Sequence, residues 1–181
     1  MRLFIGITFE DDILNKLQNT IDSIRKISKE GNFTTKERLH LTLIFLGEVA
    51  DSKLVSIEES IDSIDMEPFY IETNNIGLFK RRWGDICWIG FKESAPLQEL
   101  YNKLFHKLRQ NGFSLDNRPY TPHVTLGRKV VLSKKRDLKS LSLEIPKLLV
   151  KVSKISLIKS HHVDGKLTYT PIMTRTLDKS N

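Results

Sequence analysis

The chain has 181 residues, 39% of them hydrophobic and 28% charged, which is typical of one substantial folded domain rather than a disordered or fibrous chain. No apolar run reaches the roughly 18 residues that a membrane-spanning helix needs, so no membrane association is expected. The net charge of +7 favours a polyanionic partner such as nucleic acid, and a single cysteine, Cys87, allows no intrachain disulfide, which fits a cytoplasmic location.

Strands and helices alternate along the first third of the chain. The apolar segment at residues 2–9 predicts a strand, and hydrophobic residues recur at helical spacing over residues 11–28, with Gly31 as the stop. Residues 38–46, RLHLTLIFL, predict a second strand. Over residues 51–64 the spacing of leucine, valine and isoleucine again predicts an amphipathic helix.

The rest of the chain repeats this order. A basic loop, KRRW, separates two strands, and Asp164-Gly165 is typical of a hairpin turn between two late strands. The predicted elements are strands at 69–79, 85–91 and 120–128, helices at 96–110 and 133–141, and late strands at 148–160 and 166–177.

Each part of the chain thus holds a helix, a strand and another helix in the same order. This weak internal repeat predicts a single bilobed domain with pseudo-repeat halves at roughly 1–65 and 66–181. Each lobe is expected to contain an antiparallel-rich sheet covered by helices, which is an α+β fold.

The tetrapeptides HLTL and HVTL repeat the pattern His-apolar-Thr-apolar, once in each half. Residues two apart in a strand point to the same side, so His40 shares a face with Thr42, and His123 shares a face with Thr125. The intervening apolar residues face the other way and are expected to pack on helices. A single copy would be read as a half-buried strand, whereas two copies in corresponding positions favour a functional pair.

Two imidazoles across a cleft suit paired general acid and base catalysis, because an imidazole titrates near neutral pH. Threonine hydroxyls can donate hydrogen bonds to phosphate oxygens, and nearby cations would offset charge in the transition state. This set suits attack of water on a phosphodiester and requires no metal or other cofactor. Zinc binding is the competing interpretation, but two histidines without a neighbouring carboxylate or cysteine are a poor ligand set.

The segments RLHLTLIFLGEV and RPYTPHVTLGRK resemble the two signature motifs of the two-histidine (2H) phosphoesterases. The similarity is greatest to the LigT-like RNA 2',3'-cyclic phosphodiesterases, once called 2'-5' RNA ligases, and it spans nearly the whole chain. It implies a bilobed α+β fold with two antiparallel-rich sheets, outer helices and the motifs facing across a central groove. It also implies hydrolysis of a terminal 2',3'-cyclic phosphate to a 2'-phosphate.

The resemblance also implies roles for individual residues. His40 would be the proton donor to the leaving 3' oxygen, and His123 the proton acceptor that activates water. Thr42 and Thr125 would hold the non-bridging oxygens, and Arg128 occupies a basic position typical of these enzymes, which implies contact with the phosphate. Only the resemblance assigns the acid and the base, since the two local sequences do not distinguish them.

Further substrate-binding residues are predicted around the motifs. Phe45 would share the His40 face if the strand stays regular, where it would form the groove wall or contact a nucleobase; core packing is an equal alternative. Arg38 is expected on the same face, and Tyr120 precedes the second motif. Among late residues, Ser160 and Tyr169 loosely fit a pattern of the family.

Two other features have alternative interpretations. In the basic loop, a base could stack on Trp83 while Arg81 and Arg82 meet the RNA backbone, although packing of the loop is the simpler account. The adjacent His161 and His162 are predicted to lie in a solvated turn rather than to form a ligand pair.

The sequence therefore predicts a monomeric enzyme whose partners are RNA ends or cyclic nucleotides. The alternatives within enzymes are hydrolysis of 2'-5'-linked oligonucleotides and 2'-5' RNA ligation. The alternative from another class is an RNA- or nucleotide-binding module without catalysis, which the two intact motifs disfavour.

Overall fold

The computed structural model describes residues 1–178, except for the side chains of residues 135–137. Two single-turn 3₁₀ helices, Lys36–Arg38 and Asp51–Lys53, supplement the regular elements. These elements are β1 Arg2–Thr8, α1 Asp11–Lys26, β2 Ser28–Phe33, β3 His40–Glu48, α2 Leu54–Asp62, β4 Phe69–Phe79, β5 Asp85–Phe91, α3 Ala95–Gln110, β6 His123–Leu132, α4 Lys135–Glu144, β7 Leu149–Val152, β8 Lys154–Val163 and β9 Lys166–Thr176.

The strands form one antiparallel sheet in the order β7-β4-β5-β6-β3-β1-β8-β9, and β2 also pairs with β6. The α+β class is confirmed. The two sheets that the sequence predicts are two halves of this sheet, joined between β3 and β6 by the pair Leu41↔Val124. Because β8 pairs with β1, strands from both ends of the chain share one half, so the sequence halves 1–65 and 66–181 do not coincide with the halves of the sheet.

The helices cover the apolar face of the sheet. Helix α1 packs near β6 and β2, and α3 packs near β3, so each motif strand lies under a helix from the other part of the chain. Leu41 and Val124 of the two motifs are fully buried in this core. Within residues 1–178, no helix is both long and apolar enough to cross a membrane.

Three local predictions differ from the structure. Residues 28–33 form β2 instead of a helix end and a loop, and they pair with β6. The late strand at 148–160 is divided at Ser153 into β7 and β8. His161 and His162 lie on β8 rather than in a turn, because the hairpin pairing continues to the turn at Asp164-Gly165, whose φ angles of 49° and 73° confirm the expected geometry.

Candidate active site

The two motif strands, β3 and β6, are antiparallel neighbours at the centre of the sheet. Continuing the antiparallel register one residue either way from Leu41↔Val124 places His40 opposite Thr125 and Thr42 opposite His123. The four polar side chains therefore share one face of the sheet, while the apolar residues between them lie in the core. The predicted juxtaposition of the two motifs is present.

A β-bulge follows the threonine of the first motif. On β1, Gly6 pairs with Thr42 but the preceding Ile5 pairs with Ile44, so Leu43 is an extra residue in β3. Leu43 and Ile44 are both buried, and the alternation resumes with the opposite phase. Phe45 thereby lies on the His40 face, with 57% of its surface exposed.

The prediction for Phe45 was correct in placement and wrong in reason. A regular strand would put residue 45 on the buried face, beside Leu41 and Leu43. The bulge, and not regularity, brings its ring to 5.8 Å from that of Phe4 on the same face as His40.

The second motif carries an equivalent bulge. Trp88 of β5 pairs with Thr125, but Cys87 pairs with Gly127, so Leu126 is the extra residue in β6. Leu126 and Gly127 are both buried, and Arg128 is returned to the His123 face. Phe45 and Arg128 thus occupy equivalent positions, each five residues after a histidine.

His40 lies in an aromatic environment with both ring nitrogens engaged. Its Nδ1–H donates to the Arg38 carbonyl at 2.8 Å, so in the neutral ring Nε2 accepts from the Thr42 hydroxyl at 3.0 Å. The rings of Phe4 and Tyr169 lie 4.7 and 5.1 Å from the imidazole. Burial is the main reason that the pKa of His40 falls to about 4, and the nearby charges of His123 and Arg128 add to the effect.

His123 has the same backbone anchor. Its Nδ1–H donates to the Thr121 carbonyl at 2.8 Å, two residues earlier, just as His40 uses Arg38. Nε2 is therefore the proton-accepting nitrogen of the neutral ring. Phe79 contacts this imidazole edge-on, with ring centroids 5.1 Å apart. Burial, and then the charge of Arg128, lower the pKa of His123.

Electrostatic interactions connect the histidines of the two motifs. Arg128 lowers the pKa of both histidines, and charged His123 lowers that of His40, so the groups lie within reach of one another's fields. In the free protein both imidazoles are biased towards the neutral form, and the pKa of the expected acid, His40, is itself strongly lowered. A bound phosphate anion would oppose this bias and favour protonation of one ring.

The other predicted binding residues have different surroundings. The Tyr120 hydroxyl donates to the Thr42 carbonyl at 3.1 Å, and its ring stacks on Tyr101 at 4.3 Å, so it ties the segment before His123 to β3. Arg38 lies on a 3₁₀ turn rather than on the strand, and its Nε donates to the Thr35 hydroxyl at 3.2 Å.

A small cavity of about 70 Å³ lies beside His40, with Arg38 and Tyr169 in its wall. A larger cavity, of about 730 Å³, lies between the end of α2 and the outer side of α3, and neither motif lines it.

Sequence reasoning missed the aromatic neighbours Phe4, Phe79 and Trp88. Trp88 stacks on Phe79 at 5.1 Å and lies 6.3 Å from His123. A Cβ on Gly77 would be 2.2 Å from the indole, so this glycine allows Trp88 to lie across β4. A glycine inside a predicted strand was the available signal for such a close approach.

Metal-ligating groups are sparse around these residues. Across the part of the chain that the structure describes, no group of three or more His, Cys, Asp or Glu side chains is arranged to hold a metal ion. Cys87 is fully buried, and burial raises the pKa of its thiol to about 12, as expected for a hydrophobic core cysteine.

Comparison with known proteins supports the resemblance seen in the motifs. Residues 14–164 match the family described as the 2'-5' RNA ligase superfamily. The chain is 35% identical over 129 residues to an RNA 2',3'-cyclic phosphodiesterase of Archaeoglobus fulgidus, covering 71% of this chain and 72% of the relative. A Thermotoga maritima protein of the same description is 30% identical over 131 residues, covering 71% and 70%.

The fold is also found among solved structures. Escherichia coli LigT complexed with 3'-AMP superposes with a TM-score of 0.80 at 24% identity, covering 97% of each chain. This similarity confirms the LigT-like fold that the sequence predicts.

Proposed function

The chain belongs to the 2'-5' RNA ligase superfamily, and we propose that it hydrolyses the 2',3'-cyclic phosphate at an RNA end, or on a cyclic nucleotide, to a 2'-phosphate. One observation carries this proposal: two histidines, each beside a threonine and each anchored through Nδ1, share one face of the sheet. Arg128 lies on the same face, and its charge lowers the pKa of both histidines. The relatives described as RNA 2',3'-cyclic phosphodiesterases support the substrate class.

The proposed reaction uses the two Nε2 atoms. His123 Nε2 takes a proton from water as the water oxygen attacks phosphorus, and the bond from phosphorus to the 3' oxygen breaks. Protonated His40 gives the Nε2 proton to that oxygen, leaving a free 3' hydroxyl and a 2'-phosphomonoester. Nothing in this scheme requires a metal ion.

The remaining residues bind and orient the substrate. The hydroxyls of Thr42 and Thr125 and the guanidinium of Arg128 hold the non-bridging oxygens, where negative charge grows in the transition state. Phe45 lies on the same face and forms the groove wall or contacts the nucleobase. Tyr120 acts as a positioning residue, since its hydroxyl holds the backbone of Thr42.

The proposal is tested with an oligonucleotide that ends in a 2',3'-cyclic phosphate, in excess chelator, with the product identified as a 2'- or 3'-phosphate. We expect full activity in chelator and a 2'-phosphate product. Alanine in place of His40 or His123 should lower the rate roughly 10²- to 10⁴-fold. A strict requirement for added metal, or full rate in both variants, would contradict the proposal.

RNA joining is the second candidate. It is favoured by the family description, which names 2'-5' ligation. The same two proton transfers would join two RNA ends if a 5' hydroxyl took the place of water. His123 takes the hydroxyl proton as the 5' oxygen attacks phosphorus, and the bond from phosphorus to the 3' oxygen breaks. His40 protonates that oxygen, and the product is a 2'-5' phosphodiester with a free 3' hydroxyl. Incubation with 2',3'-cyclic phosphate and 5'-hydroxyl ends, and with 2'-5'-linked oligonucleotides, separates these activities from simple hydrolysis. Tight RNA binding without any turnover would instead indicate a binding module.

A further inference from the structure

The loop at residues 80–84 joins β4 to β5 at one end of the active-site face. From Trp88, beside His123, β5 runs back to Asp85, which pairs with Val130 of β6. The loop comes next, and a Cβ on Gly84 would lie 2.7 Å from the backbone of Lys129. With a rise of about 3.3 Å per residue, Asp85 lies roughly 10 Å along β5 from Trp88, and Trp83 follows two residues beyond the end of that strand.

This loop carries an exposed indole among cations. Trp83 has 76% of its surface exposed, and the Arg82 guanidinium lies 5.1 Å from its ring centroid. Arg81 and Arg82 are exposed, as are Arg128 and Lys129 on the adjoining strand. An exposed aromatic ring beside positive charge is the combination with which proteins bind single-stranded nucleic acid: bases stack, and cations attract the backbone.

The loop is held in place by its own contacts. Asp85 anchors it twice, through an ion pair with Lys80 and by accepting from the Arg81 backbone N–H at 3.1 Å. Gly84 has a φ of 92°, which lets the chain turn against Lys129. Because the loop is already ordered, it loses little conformational entropy when a ligand binds, which favours binding to the exposed Trp83 ring.

We propose that this loop binds the RNA strand on the 5' side of the terminal nucleotide, with a base stacked on Trp83 and phosphates near Arg81 and Arg82. The inference rests on the proposed function, because it assumes that an RNA end occupies the groove between His40 and His123. It predicts that the enzyme prefers oligonucleotide ends to mononucleotide 2',3'-cyclic phosphates.

The test compares kcat/KM for a nucleoside 2',3'-cyclic monophosphate and for a short oligonucleotide with the same cyclic end. Trp83→Ala should lower the oligonucleotide value roughly 5- to 100-fold and leave the mononucleotide value unchanged. Trp83→Phe should keep most of the oligonucleotide preference. Tyr70→Ala is the matched control, since Tyr70 is 58% exposed at the other end of β4.

Salt provides a second measurement. Replacing Arg81 and Arg82 with glutamine should make the slope of log affinity against log salt shallower by about 0.7 for each lost phosphate contact. If Trp83→Ala lowers kcat/KM equally for both substrates, the loop only supports the fold. If Trp83→Ala keeps the wild-type preference for the oligonucleotide, the loop does not bind RNA. Either result overturns the inference. If the wild-type protein hydrolyses neither substrate, the proposed function fails instead, and fluorescence quenching of Trp83 by an oligonucleotide, with Trp83→Phe as the reference, still tests binding.

Discussion

The burial of His40 predicts a specific loss of stability in acid. The pKa of His40 falls from 6.5 to about 4 in the folded protein, so folding disfavours its protonated form. The stabilisation is complete above the unfolded pKa and declines as the pH falls from 6.5 towards 4. At 1.36 kcal/mol per pH unit, the whole contribution approaches roughly 3 kcal/mol, and His123 acts in the same direction.

The assay is urea unfolding at pH 7.5, 5.5 and 4.5 for the wild type and for His40→Gln, which keeps a polar side chain without an ionisable group. The fall in unfolding free energy between pH 7.5 and 4.5 should be roughly 2–3 kcal/mol larger in the wild type. His162→Gln is the matched control, because it removes an exposed histidine of β8.

Parallel pH profiles for the wild type and His40→Gln would refute this reasoning, since they would show that the imidazole is protonated as easily in the folded chain as in the unfolded one. Inorganic phosphate supplies an internal check. An anion held between the histidines raises both pKa values, so added phosphate should reduce the acid sensitivity of the wild type more than that of His40→Gln.

Three further predictions concern the surroundings of the histidines. Arg128→Gln should lower kcat/KM roughly 100-fold, because it removes a positive charge that would stabilise the transition state. In pH-rate profiles the acidic limb should also move to higher pH, since the guanidinium lowers the pKa of both imidazoles. Arg128→Lys should restore the position of that limb. Tyr120→Phe should cost about 1 kcal/mol in urea unfolding, since it leaves the Thr42 carbonyl without its 3.1 Å donor; an unchanged midpoint would refute that. Gly77→Ala should displace Trp88, seen as altered tryptophan fluorescence, and destabilise the fold by about 1–3 kcal/mol.

The paired motifs show how far local sequence can lead. His40 and Thr42 alternate with buried leucines, as His123 and Thr125 alternate with Val124 and Leu126, and period two alone places each pair on one face. That pattern depends only on the chain's own geometry, so the sequence determined the strands, their apolar backing and the four central residues of the site.

The position of Phe45 and Arg128 depended on more than the chain itself. A bulge exists only relative to a partner strand, and β1 and β5 decide where β3 and β6 gain their extra residues. The formation of β2 also depends on a partner strand, because its polar sequence is extended through pairing with β6. The alternation of residues along a strand predicts neither the bulges nor β2, because local periodicity contains no information on which distant segments pair.

The sequence by itself therefore determined which polar groups meet on the central face of the sheet, and only the tertiary structure decided what surrounds them. Phe4, Phe79 and Tyr169 come from three separate strands, and they contact His40 or His123 solely through the order in which the sheet assembles. Burial among these rings lowers the pKa of both histidines. The ionisable and hydrogen-bonding groups of a site depend on residue type, so the sequence identifies them. Their desolvation depends on neighbours that come together only when the whole sheet has formed.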